Sequence, residues 1–533
     1  MSIAAVTNEP PDLARRGWLA DASRAAAAMA LSALFAPPAT AGTKVALQRT
    51  GGSYPFALGV ASSITGANSV VLWTRLAPHP YEPFGGMTEE SNIVRWELAD
   101  DEHFSRGVRR GGVLTHAEHA HCAHVLVNEL NPDSTYYYRF ISGDATSPTG
   151  RARTAPAPDG DLTRLRLALA SCQHYEQGSF AVHREIATRD YDFVLFVGDY
   201  IYESSNQRYK RRPHEGPVPY TLDAYRARHA TYKLDPDLRA SHAAHPWLFL
   251  WDDHEVENDY AGERGFDSRS PVDFLVRRTA AYKAYFEHMP IAPARAPRGP
   301  NMLMHGKLSW GRLADLWLLD CRQFRSAQAC LRPGRGGRPL VDCEELGDER
   351  RSVLGEMQEC WLAEGMAASE SQWRLVAQAS QIARGAINTP LGPSIYSDTW
   401  DGYPKAREHL LRTLARSERG NVIALGGDVH RHSAANLRVR PNDESSPVVA
   451  SEIVATSLTT SGLPEAVASM VRSANPDIVH CRGDERGYVS VEVTPRLTLC
   501  DFRATTFPVR DDASLHTQAR YVVEAGRAGV RTD

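Results

Sequence analysis

Phe193-Val194-Leu195-Phe196-Val197-Gly198-Asp199-Tyr200-Ile201-Tyr202 is an apolar run of strand length that stops at a glycine and hands over a carboxylate and a phenol. Three further runs end the same way. Leu165 to Ala170 ends in Ser171-Cys172-Gln173, Pro246 to Leu250 in Trp251-Asp252-Asp253-His254-Glu255, and Val422 to Leu425 in Gly426-Gly427-Asp428-Val429-His430. Short apolar runs bounded by turn residues predict buried strands, and open α/β sheets carry their sites just beyond strand ends. Four strands delivering thiol, carboxylate, phenol and imidazole groups from one sheet edge predict a hydrolytic metalloenzyme of the α/β class.

Outward from these strands the chain changes character. From about Tyr54 to Thr154, β-branched and aromatic runs (Ser69 to Leu76, Ile93 to Leu98, His124 to Leu130, Thr135 to Ile141) are separated by turn residues, the pattern of a β-sandwich. The stretch Leu130-Asn131-Pro132-Asp133-Ser134-Thr135-Tyr136 matches the corner of a fibronectin III-like sandwich, so such a domain is expected over 50–155. A Pro/Asp/Gly-rich linker, Ala155 to Asp161, leads into alternating strands and helices that predict a layered α/β domain over 161–510. Its expected helices include Tyr225 to Tyr232, Arg277 to His288 and Arg407 to Ala415. Residues 511–533 read as a C-terminal tail whose helical pattern, Ser514 to Ala525, would let it pack over the cleft.

The N-terminus reads as an address. Arg15-Arg16-Gly17-Trp18-Leu19, an apolar run from Ala25 to Phe35, and Ala39-Thr40-Ala41 predict a twin-arginine export signal, residues 1–41, and a periplasmic or secreted enzyme. The 533 residues are 42% hydrophobic and 23% charged, enough for more than one core. A formal net charge of −4 gives no footing for a stable nucleic-acid partner, and beyond the signal no apolar segment is long enough to anchor the chain in a bilayer. A monomer is expected.

In an oxidising compartment Cys330 and Cys343, flanking an Arg/Gly/Pro-rich loop, would close a disulfide, and Cys321 with Cys360 a second. At least one of Cys122, Cys481 and Cys500 would then remain a free thiol.

Cys172, Asp199, Tyr202 and His430 together offer a thiolate, a carboxylate, a phenolate and an imidazole, an electron-rich shell suited to Fe(III). Asp253 and Asp428 are hard oxygen donors that, with Asp199 as a bridge, define a second site suited to Ca(II), with Mn(II) or Mg(II) as alternatives. His254 has no required metal role and is placed to hold a phosphoryl oxygen or protonate a leaving alkoxide. Glu255 is expected to orient its ring or to serve as an outer carboxylate.

These motifs, with Tyr175-Glu176-Gln177-Gly178, Tyr260-Ala261-Gly262, Trp400-Asp401-Gly402-Tyr403 and the opening Pro55-Phe56-Ala57-Leu58-Gly59-Val60-Ala61-Ser62, resemble the PhoD-like alkaline phosphatases. The resemblance runs from about residue 50 to 510. It implies a calcineurin-like four-layer αββα metallophosphoesterase domain behind the sandwich, and an exported enzyme that releases phosphate from small-molecule phosphate esters. It further implies Fe(III) at Cys172, Asp199, Tyr202 and His430, and one or two Ca(II) at Asp199, Asp253 and Asp428, with Zn(II) a further alternative in the second site. Gln378, in the strand after Trp373, is the nearest match to an extra metal ligand of that pattern. His254, Asp199 and Arg322 carry the catalytic assignments, with Arg431 as a further oxyanion contact. His174, where asparagine is common, and Cys321, where threonine is usual, depart from the family wording.

The main rival is a phosphodiesterase or phospholipase acting on lipid headgroups or nucleotides through the same metals. A phospholipase D of the HxKxxxxD type is disfavoured, because His305-Gly306-Lys307 is followed by Arg312 where that motif needs Asp. A non-catalytic binding protein would have disrupted ligand clusters, and these are intact.

Overall fold

Alternation of apolar residues to opposite faces decides the architecture. The computed structural model describes residues 53–266, 270–416 and 420–533. The expected export signal lies outside the described residues.

Two seven-stranded sheets form the centre of the fold. In the first, Trp247–Leu250, Phe193–Val197 and Leu165–Ala170 run parallel and are joined through Glu485–Val493 to Leu497–Thr506, His516–Glu524 and Arg531–Thr532. In the second, Ala314–Leu318, Trp373–Ala377, Val422–Gly426 and Val448–Val454 are parallel neighbours, flanked by antiparallel strands. Successive side chains of a strand point to opposite faces, so Leu375, Ala377, Ile423 and Leu425 enter the core shared with the first sheet, with Leu167, Leu195 and Val491. Val376, Val422 and Ala424 face the other way, onto Leu362, Leu410, Leu414 and Val471 of covering helices. Both faces are thereby buried, which is why these strands read as continuous apolar runs.

The N-terminal β region packs a three-stranded sheet (Val60–Gly66, Ser69–Arg75, Cys122–Val127) and a five-stranded sheet around Val70, Leu72, Leu98, Val125, Tyr138 and Phe140. At its predicted corner the Asn131 amide donates to the Tyr136 hydroxyl, 2.9 Å away. Trp73 and Arg75, on one of its strands, reach the helix Pro271–His288: Trp73 Nε1 donates to Glu287 O (3.0 Å), and Arg75 Nη1 lies 2.7 Å from His288 Nε2.

Two expectations are corrected. The segment expected to be helical from Ser514 to Ala525 forms the strand His516–Glu524, paired antiparallel with Leu497–Thr506. Its buried Tyr521 and Val523 alternate with the less buried Arg520, Val522 and Glu524, and this period-two pattern finds an open sheet edge to complete. Cys321 and Cys360 are both free, the first buried and the second exposed on the outer face of the helix Glu356–Ala368, so no bridge joins them. Cys330 and Cys343 do form a disulfide, and Cys122, Cys481 and Cys500 are free and buried.

Lys233 is enclosed where the β region meets the larger sheets. Its ammonium lies 4.5 Å from the centre of the Trp73 ring and 5.4 Å from that of Tyr200, and 3.4 Å from His242 Nε2. Burial lowers its pKa to about 7, against 10.5 for a free lysine. Between those values the unfolded chain binds more protons, so this group makes stability rise with pH. Below about 7 both states are charged and the burial cost is fully present; above 10.5 both are neutral and it is gone. Lys233→Met is therefore expected to raise unfolding free energy by roughly 2–4 kcal/mol at pH 7 and far less at pH 10. Urea melts of both proteins at the two pH values check this; an equal effect at both would contradict it.

Candidate active site

The four quoted motifs meet at one edge of the two sheets, and backbone conformation aims them. Cys172, Asp199, Asp428 and His430 all have φ between 51° and 64°. That left-handed region is costly for residues with a Cβ and is held only where surroundings enforce it. Gly198 (φ 104°) lets the chain turn beside Asp252, where an added Cβ would come within 2.6 Å of the Asp252 Cβ. The turns are tied across strands: Cys172 N donates to Gly198 O and Gln173 N to Asp199 O, both 3.1 Å. Glu255 accepts from the backbone amides of Asp199, Tyr200 and Asp252 at 2.6–3.2 Å. Its carboxylate therefore fastens two site loops together and does not orient His254.

Potential ligand atoms of Cys172, Asp199 and His430 lie within 4.8 Å of one another, as do those of Asp199, Asp253 and His254. Asp199 thus belongs to both groups, as a bridge must. The Tyr202 hydroxyl donates to Asp199 Oδ2 (2.7 Å) and lies 3.2 Å from His430 Nε2. His430 Nδ1 is 2.9 Å from Ser461 O, so it carries the proton and leaves Nε2 as the ligating nitrogen. The Tyr202 ring lies between His174 and His254, with centroids 4.5 and 4.1 Å away. Ser380 Oγ donates to Asp428 Oδ2 at 2.6 Å.

Electrostatics set these groups against one another. Burial, with Asp253 and Asp428 beside it, raises the Asp199 carboxyl to about 7, and burial with Asp253 raises Asp428 to about 6. The Cys172 thiol and Tyr202 phenol are pushed well above their ordinary values by burial and by Asp199. Asp199 Oδ1 is buried with no hydrogen-bond partner. A set of anionic donors each disfavoured by burial and by like charge fits bound cations, which supply the missing counter-charge.

His254 is held by a residue the sequence reading did not single out. Its Nδ1 lies 2.6 Å from Glu203 Oε2, and Glu203 is fixed in turn by the Asn258 amide at 3.0 Å. Burial opposes the charged ring, yet Glu203, Asp199 and Asp253 raise its pKa well above the ordinary value. With Nδ1 committed, Nε2 is the free ring nitrogen.

Three assigned residues are bonded to other parts of the protein. The Gln378 Oε1 accepts from Ser380 N (2.9 Å) and Trp400 Nε1 (3.0 Å), and its amide nitrogen donates to Ser380 O. It shapes the turn that carries Ser380 to Asp428. Arg322 is 1% exposed and locked to Asp252, Asp253 (3.4 Å) and Asp398 (2.8 Å), so its guanidinium orders carboxylates and is not free to grip an ester. Arg431 Nη2 donates to Gln381 Oε1 at 3.0 Å. A third acidic group, Asp253 with Asp259 and Asp398, adjoins the other two. Glu203 directly follows the Tyr202 motif and Asp259 directly precedes Tyr260-Ala261-Gly262, but only the folded loops bring them to His254 and Asp253.

One loop holds the thiol end together. Leu458 N donates to Ser171 O (3.0 Å) and Thr460 Oγ1 to Cys172 O (2.8 Å). Buried Arg486 clamps that loop through Ser457 Oγ (2.8 Å), Thr460 O (2.5 Å) and Gly483 O.

Comparison with known proteins agrees with this geometry. Residues 167–502 match the PhoD-like phosphatase family and residues 40–156 the PhoD-like phosphatase N-terminal domain. Alkaline phosphatase D of Bacillus subtilis (strain 168) is 39% identical over 487 residues, covering 90% of this chain and 82% of that protein. The solved structure of PhoD is similar with a TM-score of 0.85 at 38% identity, over 90% of this chain and 92% of that one. The fold and the clustered carboxylate, imidazole and thiol groups are those of a phosphoester hydrolase. The chain belongs to the PhoD-like phosphatase family.

Proposed function

We propose that this phosphatase is an exported alkaline phosphatase D-type enzyme that cleaves small-molecule phosphate esters at a mixed Fe(III) and Ca(II) centre. The observation that carries the reading is the shared position of Asp199, common to the thiol–imidazole group and to the Asp253 group. Cys172, Asp199, Tyr202 and His430 would hold iron, and Asp199, Asp253 and Asp428 calcium; the softer and harder donors divide accordingly. The two facing seven-stranded sheets with helices outside support a calcineurin-like four-layer αββα reading, and the Tyr136 corner supports a fibronectin III-like one for the β region. The Arg15-Arg16 signal supports twin-arginine export to the periplasm or medium, and a monomer is our reading of the assembly.

Cations held by these residues would supply Lewis-acid chemistry to the phosphoryl oxygens and to the attacking water. The protein's own contribution is positional. Left-handed turns fix the ligand side chains, Glu255 ties their loops, and Arg322 orders Asp252, Asp253 and Asp398. His254, kept protonated by Glu203, donates from Nε2 to the departing alkoxide.

The test is hydrolysis of a phosphomonoester and a phosphodiester side by side at alkaline pH, with chelator and with restored calcium. Chelator-sensitive turnover of the monoester at least as fast as of the diester is expected. A strong diester preference would instead favour the phosphodiesterase or phospholipase reading, and turnover indifferent to chelator would sink the metal assignment.

A further inference from the structure

Outside the ligand cluster, a loop closed by the disulfide is laid over Asp259 and Asp398. Cys330 and Cys343 are bridged across 13 positions, and between them Gly336 and Gly337 meet the two acidic residues backbone-first. A Cβ on Gly336 would come within 2.3 Å of the Asp259 Cβ, and one on Gly337 within 2.7 Å of the Asp398 Cβ. Gly337 N donates to Asp259 Oδ2 at 2.8 Å, and the Asp259 amide in turn donates to Asp253 Oδ2 at 2.5 Å. Asp259 has φ 58°, a left-handed conformation that its surroundings must enforce. Gln328, two residues before the bridge, also holds it, donating from Nε2 to the Asp259 carbonyl (2.7 Å).

The loop has little else to keep it in place. Among the described residues, the one hydrogen bond made by Leu331 to Gly336 is from Arg335 N to Arg332 O (3.2 Å). Arg338, at the far end, donates to Cys330 O from Nε (3.0 Å) and Nη2 (2.7 Å), while its amide donates to Ser397 Oγ (3.0 Å). The bridge is the covalent tie across the mouth of this loop, and it removes the open conformations that a free loop would sample. Both of its cysteines are only half-buried, which leaves the sulfurs within reach of small thiols.

We propose that Gly337, held on Asp259 by the Cys330–Cys343 bridge, positions Asp253 for its cation, and that the bridge thereby makes this half of the centre redox-gated. The inference rests on the calcium half of the reading above. Gly337 acts through Asp259 and is a positioning residue, touching neither substrate nor metal. Two equivalents of a small thiol open the bridge: their two protons and two electrons pass to the cysteine sulfurs, and they leave as a disulfide. Closure is the reverse exchange, with the disulfide of an oxidoreductase or of a small molecule as oxidant. A chain in a reducing compartment carries two thiols here and a weakened cation site, and an oxidising compartment completes that site.

The test compares native protein with the double variant Cys330→Ala/Cys343→Ala and with Gly336→Ala, whose Cβ lifts the loop while the bridge stays intact. Calcium affinity is read by equilibrium dialysis of iron-loaded protein, and turnover of 4-nitrophenyl phosphate is followed across a calcium titration. Both variants are expected to bind calcium about 10–100-fold more weakly, the range for losing an outer partner of a metal site, and to regain native kcat at saturating calcium. That recovery separates positioning from a general loss of structure. Hydrogen exchange of metal-free protein is the third readout: the Gly337 and Asp259 amides are expected to exchange faster in both variants, and in native protein after dithiothreitol. Should the double variant fail to fold, Gly336→Ala and the dithiothreitol-treated protein decide. Native calcium affinity in the folded variants, or amide exchange unmoved by dithiothreitol, overturns the inference alone. No calcium binding by native protein overturns the calcium reading and this inference with it.

Discussion

Asp199→Asn is expected to lower kcat/KM by roughly 10³-fold or more, about 4 kcal/mol of transition-state stabilisation, and to empty both halves of the metal centre at once. The reason is geometric: Asp199 shares one compact group with Cys172 and His430 and another with Asp253 and His254. Its stability effect runs the other way. In chelator-treated protein at pH 8 the native carboxylate is ionised although burial and its acidic neighbours raise its pKa to about 7. An acid with a raised folded-state pKa costs stability above that pKa, so the amide is expected to melt higher than the metal-stripped parent. Elemental analysis, initial rates and a thermal melt together read this out. A variant that kept both metals would remove the bridging role.

The second large effect belongs to His254. His254→Ala is expected to cost about 10²–10⁴-fold in kcat/KM on an alkyl ester and much less on a nitrophenyl ester, whose phenolate leaves without a proton. Glu203→Gln keeps the ring but removes the charge at 2.6 Å from Nδ1. It is expected to reproduce the same selective loss at a smaller scale, about 10–100-fold as for other outer partners of a site imidazole. Equal losses on both esters for His254→Ala would assign the ring to binding a phosphoryl oxygen and not to proton donation.

These effects hang on residues with very different visibility in the chain. Cys172, Asp199, Asp253, Asp428 and His430 were legible because each follows an uninterrupted apolar strand, and a strand end fixes where the next few residues point. Glu203 was hidden in plain view: it follows Tyr202 directly, but its partner is 51 residues on, and only the loop path brings them together. Gln378 follows a buried strand as the other assigned ligands do, and its amide bonds to Ser380 and Trp400, a pairing that strand position alone does not foretell. The same local-versus-tertiary conflict reversed the C-terminal tail. A helical pattern around Val522 and Val523 competed with an open sheet edge, and pairing with Leu497–Thr506 satisfied the whole ladder. The Cys330–Cys343 bridge was readable from its short loop, whereas the Cys321–Cys360 pairing ignored which way the helix Glu356–Ala368 turns Cys360.

The order of strands in the first sheet bears on how the chain is made. Leu165–Ala170 is flanked on one side by Phe193–Val197, soon available, and on the other by Glu485–Val493. The paired Leu165 and Val493 are 328 positions apart. At ribosomal speeds of about 5–20 residues per second, the growing polypeptide carries that bare edge for some 15–60 s. The thiol of Cys172 sits at the end of the same strand, and the loop that clamps it comes from residues 457–462, among the late products of translation. The clamp on Cys172 can therefore form only after residues 457–462 have been made, long after the strand that carries the thiol.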